Sequence, residues 1–278
     1  MRRRTVSFLV VLALAALSGC ATLDRDANAD AIAGPAGMQR MIIKTDLFVL
    51  TTFARIRDPG RPVTIYVEGD GLAWLSRTEP SQDPTPREAL GLQLAALDPS
   101  PNVVYLARPC QFTARAKNPA CDIPYWTGKR FAPEVIASMG QAVSQIAARV
   151  PGQKINLVGY SGGGAVAVLV AANRQDVATI RTVAGNLDHA EVNRLAKVSP
   201  LSGSLNAIDM AGQVAKTPQI HYSGAADTVV PPAIAERFRG AAPSPCIATK
   251  VVAGASHETG WKERWTTLVN ILPTCMPS

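Results

Sequence analysis

The residues with the clearest chemical potential form the run Gly159-Tyr160-Ser161-Gly162-Gly163, a G-x-S-x-G pattern. It stands between the apolar segment Ile155-Asn156-Leu157-Val158 and a helix-compatible run at 165–170. A strand that turns sharply into a helix lifts a serine hydroxyl to the top of a sheet, and the tight turn requires small neighbours. A serine at its ordinary acidity is a poor nucleophile and needs a base. Of the three histidines, His221 lies within the run Gln219-Ile220-His221-Tyr222 and reads as a core residue, and His189 follows the serine too early. His257 closes the segment Val251-Val252-Ala253-Gly254-Ala255-Ser256-His257 near the C-terminus and fits the chain order serine, acid, histidine. The acid that would fix the imidazole tautomer belongs after an intervening strand. Asp227, in Gly224-Ala225-Ala226-Asp227, is preferred, with Asp188 as its rival. An oxyanion developing on an acyl carbonyl needs aimed donors. The backbone N–H of Gly162 is one candidate, and that of Asp70, in Glu68-Gly69-Asp70-Gly71 after an early strand, is the second.

Elements able to position these residues are legible as apolar runs at 47–53, 63–67, 103–106, 155–158, 180–183, 220–222 and 250–252. Helical patterns alternate with them at 133–150, 163–173, 233–238 and 260–272. This alternation predicts an α/β fold with a mostly parallel sheet covered by helices on both faces. The early strands, before any clear helix, could begin the sheet in antiparallel fashion. No internal repeat is present. The stretch 188–216 is short, so any cap over the site is small, and Tyr125 and Trp126 are candidates for an aromatic wall beside it.

The chain has 278 residues, and a formal charge of +7 that falls to about +4 without Arg2, Arg3 and Arg4. No basic run with interleaved aromatics follows, which argues against a nucleic-acid partner. Arg2 to Arg4 precede an apolar stretch at 6–17 that is too short to span a bilayer and ends in Leu17-Ser18-Gly19-Cys20. Residues 1–19 therefore read as a secretory signal, 20–40 as a flexible tether rich in Ala, Asp, Asn and Gly, and 41–278 as one folded domain. Beyond Cys20, four cysteines remain. They admit three pairings, of which Cys110–Cys121 and Cys246–Cys275 close local loops and are favoured. Their spacings fit no usual zinc site, so neither a metal nor a cofactor is expected.

Taken together, the chain resembles the α/β-hydrolase-fold serine esterases and lipases, and more narrowly the small α/β-hydrolase lipoproteins of Gram-negative bacteria. The resemblance covers residues from about 42 to 275 and rests on the Ser161 turn, Gly224-Ala225-Ala226-Asp227 and Gly254-Ala255-Ser256-His257. It implies a small-molecule or lipid ester substrate. Glu68 departs from it, standing where a histidine of the oxyanion loop is usual. Leu-Ser-Gly-Cys likewise resembles a lipobox, which implies cleavage before Cys20, its acylation, and a lipid anchor in the outer membrane facing the periplasm. Without use of the lipobox the protein would be secreted. A non-catalytic envelope lipoprotein and an acyltransferase or perhydrolase with the same triad are the competing functions.

Overall fold

In the computed structural model, which describes residues 24–276, the chain begins with helix α1 (Arg25–Ala33), strand β1 (Gln39–Lys44) and strand β2 (Val49–Ile56). Strand β3 (Val63–Val67), helix α2 (Leu90–Leu97) and strand β4 (Asn102–Leu106) follow, then helix α3 (Pro133–Ala147). Next come strand β5 (Ile155–Tyr160), helix α4 (Gly162–Ala171), strand β6 (Val177–Val183) and helix α5 (His189–Ala196). Strand β7 (Gln219–Gly224), helix α6 (Ala233–Ala241), strand β8 (Ile247–Val252) and helix α7 (Trp261–Leu268) complete the fold.

The eight strands form one sheet in the order β1-β2-β4-β3-β5-β6-β7-β8. β1 and β2 join antiparallel and the strands from β4 onward run parallel to one another, so the sheet does begin antiparallel. β3 and β4 are buried at every residue, as strands covered on both faces must be. Their side chains alternate between two apolar layers. Ile65, Val104 and Leu106 pack with α3, α4 and α6, while Tyr66, Val103 and Tyr105 pack with α1, α2 and α7. The second layer is bound by Trp265, whose indole N–H donates to the Tyr66 hydroxyl at 3.2 Å, and that hydroxyl donates to Asp98 at 2.7 Å.

The tether expected at 20–40 is not what the structure shows from residue 24 onward. Asp24 caps α1 by accepting from the N–H of Asp26 and Ala27, and Ala29 and Ala33 are buried in the second layer. Arg25 reaches the carbonyl of Thr85 and the carboxylate of Asp83, and Arg40 pairs with Asp26 and Asp30. The two methyl groups that α1 buries, those of Ala29 and Ala33, leave too faint a pattern to read. The signal segment 1–19 and Cys20 lie outside the described residues. Among the described residues no helix is long and apolar enough to cross a membrane. Disulfides join Cys110 to Cys121 and Cys246 to Cys275.

Candidate active site

Ser161 sits between the end of β5 and the first turn of α4, with φ 50° and ψ −119°. A non-glycine residue at positive φ costs roughly 1–3 kcal/mol and persists only where its surroundings dictate it. Here they do so with three backbone bonds of 2.9 Å: Ser161 N–H to the Val183 carbonyl, and the N–H groups of Gly164 and Asn186 to the Ser161 carbonyl. Gly163 must lack a side chain, because a Cβ there would fall 2.2 Å from the Val67 carbonyl oxygen. The turn and the β3 loop are therefore in direct backbone contact.

His257 follows β8, and its backbone is held by the Trp261 indole N–H, which donates to the carbonyls of Ser256 and His257 at 2.8 and 3.1 Å. Its Nε2 lies 3.0 Å from Ser161 Oγ and its Nδ1 2.9 Å from Asp227 Oδ2. The other carboxylate oxygen of Asp227 accepts the N–H groups of Val229 and Val230 at 2.9 and 2.8 Å. A carboxylate accepting at Nδ1 makes that nitrogen the donor, which leaves Nε2 free to accept the serine proton. Tyr160 packs a tilted ring 5.7 Å from the imidazole. Ser161, His257 and Asp227 thus form one unbroken hydrogen-bonded relay, drawn from the C-terminal ends of the parallel strands β5, β8 and β7.

Residues 68–70 complete the surroundings. The Asp70 carboxylate lies against Gly162, where a Cβ would be 2.0 Å from its Oδ1. A carboxylate so placed would oppose an oxyanion if left unpaired. It is not: Arg130 holds Oδ2 at 2.6 Å and Arg108 holds Oδ1 at 3.3 Å. Burial pushes the pKa of Asp70 up, but the Arg130 and Arg108 guanidinium groups outweigh it and hold the carboxyl below the usual carboxylate range. The backbone N–H groups of Asp70 and Gly162 donate to no protein acceptor among the described residues.

No protein-family model matches the sequence, and a search of curated proteins finds no relative. Solved structures do match. An esterase of Pyrococcus furiosus shares 13% identity at a TM-score of 0.60, covering 85% of this chain and 91% of its own. An α/β serine hydrolase homologue of Coxiella burnetii shares 16% identity at 0.56, covering 83% and 93%. A Xanthomonas campestris α/β serine hydrolase described as having no lid shares 14% identity at 0.53, covering 84% and 90%. The chain has the α/β-hydrolase fold. At such identities the likeness carries the architecture alone.

Within this α/β-hydrolase fold the rival residues are occupied elsewhere. Asp188 caps α5 at the Glu191 N–H, accepts from Asn206 at 2.9 Å and pairs with Arg237 at 2.9 Å. His221 is fully buried between the Thr182 hydroxyl and the Gln219 side chain, and burial lowers its pKa to about 3. His189 stacks on Phe131 and is buried, which lowers its pKa. Glu68, in place of the expected histidine, turns inward. Its Oε1 accepts from the N–H of Gly69 and Gly91, so it serves the start of α2, and burial raises its pKa. Of the two residues expected to form an aromatic wall, Trp126 is buried with its indole N–H on the Ser81 carbonyl, and Tyr125 packs edge-on against Phe48. Sequence reasoning missed Arg108, Arg130 and Gln111, which belong to no motif and reach residues 69 and 70 only through tertiary structure. A surface cleft bounded by β1, α3 and α4 contains none of the relay residues. No group of three or more metal-ligating side chains occurs among the described residues.

Proposed function

We propose that the protein is a serine hydrolase that cleaves carboxylic esters, and less readily thioesters or amides, through an acyl-Ser161 intermediate. The observation that carries this reading is the relay from Ser161 Oγ to His257 Nε2 at 3.0 Å and from Nδ1 to Asp227 at 2.9 Å, with the serine held at positive φ. His257 takes the hydroxyl proton as Ser161 attacks the acyl carbonyl, then returns it to the departing alcohol. Asp227 holds the imidazole in the tautomer this requires. The oxyanion would collect the N–H groups of Gly162 and Asp70, and such donors are each worth about 10²- to 10³-fold in rate. A water activated by His257 then releases the acyl group. The likeness in fold to esterase and serine hydrolase structures supports the reading.

The substrate of this reading is a small-molecule or lipid ester, and the stretch between β6 and β7, which holds only α5, a 3-10 turn at Ala207–Met210 and loops, supports a small cap. The reading extends to an exported protein anchored by lipid on Cys20, supported by the basic, apolar and Leu-Ser-Gly-Cys segments at the N-terminus. Intact mass of the protein from a membrane fraction checks it: unmodified Cys20 on the mature chain would remove the anchor. For the chemistry, a fluorophosphonate should label the wild type and not Ser161→Ala, and nitrophenyl esters of graded chain length should be turned over. Labelling that survives Ser161→Ala would overturn the nucleophile, and transfer to an added alcohol in preference to water would move the assignment to an acyltransferase.

A further inference from the structure

We infer that Gln111 is a positioning residue that aims the second oxyanion donor, by gripping the one peptide group that carries it. The inference rests on the hydrolase reading above. Gln111 is 1% exposed. Its Oε1 accepts the Arg108 N–H at 3.0 Å, so its Nε2 must be the end that donates to the Gly69 carbonyl, also at 3.0 Å. Its amide is thereby held at both ends.

The Gly69 carbonyl and the Asp70 N–H belong to the same trans peptide plane and point in opposite directions. Whatever fixes the carbonyl fixes the N–H. Gln111 lies on the carbonyl side, and the turn at Ser161 lies against the same short segment, since a Cβ on Gly69 would meet Ser161 Cβ at 3.2 Å and Tyr160 Cδ1 at 3.0 Å. The Gly69 N–H is already taken by Glu68 at 2.9 Å, which leaves the Asp70 N–H as the donor of this loop. Without Gln111 the peptide could rotate its carbonyl toward the serine, presenting an acceptor where the developing negative charge needs a donor.

The loop around Gln111 shows that this placement is imposed. Cys110 and Phe112, its two neighbours, both stand at positive φ, 72° and 54°, a conformation that costs free energy at each. Three restraints hold them there: the bond from Cys110 to Cys121, the Phe112 N–H on Thr85 Oγ1 at 2.9 Å, and the Phe112 carbonyl accepting from the Thr51 hydroxyl at 2.8 Å. The strain turns one buried side chain to face residue 69.

Gln111→Met keeps the bulk and removes the donor, and Gln111→Glu keeps the acceptor for Arg108 while placing an oxygen against the Gly69 carbonyl. Nitrophenyl ester kinetics, normalised to sites titrated by a fluorophosphonate, should show kcat down about 10- to 100-fold in both variants with KM within about threefold. Affinity for a boronic acid mimic of the tetrahedral species should fall in parallel, while the pH of half-maximal activity stays put because the His257–Asp227 arm is untouched. A role in stability alone would lower the melting temperature and leave kcat per titrated site unchanged, and that result overturns the inference. Should neither variant fold, Thr85→Val loosens the same bracket, and an unchanged kcat per titrated site in it overturns the inference equally. A wild type that neither labels nor turns over any ester would instead remove the hydrolase reading itself, and this inference with it.

Discussion

Asp227 and Asp188 are chemically identical groups, each just past a strand of the same sheet, and what separates them is the company each keeps. Asp227 spends one oxygen on two backbone N–H groups and the other on His257, whereas Asp188 is consumed by the cap of α5, Asn206 and Arg237. Asp227→Asn should therefore lower kcat by about 10⁴-fold with little loss of folding, since the imidazole is then held in the wrong tautomer. Asp188→Asn should leave kcat within about twofold and cost about 1 kcal/mol of stability in a denaturant titration, because an asparagine Oδ1 still caps α5 and only the pairing of Oδ2 with Arg237 is lost. Ser161, His257 and Asp227, which the structure joins by hydrogen bonds, stand out in the sequence because their chain order and small neighbours are dictated by local backbone demands. Arg108, Gln111 and Arg130 were not, because nothing local announces a side chain whose partner is 40 or 60 residues away in sequence.

The elements divide the same way. The run 63–67 coincides with β3, because a strand buried on both faces is an unbroken series of β-branched and aromatic residues. Helix α2 escaped notice for the opposite reason: Leu90-Gly91-Leu92-Gln93-Leu94 is buried almost all round, so no polar stripe marks a helical period. β1 escaped because most of its residues are at least partly exposed and it lies at the sheet edge. The two disulfides brace different elements and should respond differently to removal. Cys246–Cys275 ties the start of β8 to the C-terminal tail across 29 residues, and Cys110–Cys121 spans 11. Loop-closure entropy puts each at about 3 kcal/mol. Paired serine replacements at Cys246 and Cys275 should cost that stability in a chemical melt while leaving the labelling rate of the folded protein unchanged. The same replacements at Cys110 and Cys121 should slow labelling as well, because they release the strained turn beside residue 111.

For the molecule as a whole, acid is the condition that should open it, and His221 is a principal reason. Its folded pKa of about 3 lies below the ordinary 6.5, with burial as the cause. Between those values the unfolded chain takes up a proton that the native core refuses, so stability falls by about 1.4 kcal/mol for each pH unit below 6.5 and is unaffected by this group above it. Thermal melts from pH 7.5 to 4.5 should show this slope, and His221→Gln should flatten it. A slope unaltered in the variant would assign the acid lability to other groups.

The helix found where a tether was expected alters how far the folded domain can roam. Twenty extended residues after Cys20 would have allowed about 70 Å of reach. Because α1 is capped at Asp24 and packed onto the domain through Ala29 and Ala33, no more than about 14 Å of covalent chain separates Cys20 from the folded body. If Cys20 carries the acyl chains proposed for it, the protein is berthed at the lipid headgroups on a very short mooring. Its working volume is then a thin layer over the membrane, and esters held in or near that layer would meet Ser161 far more often than those dissolved at a distance.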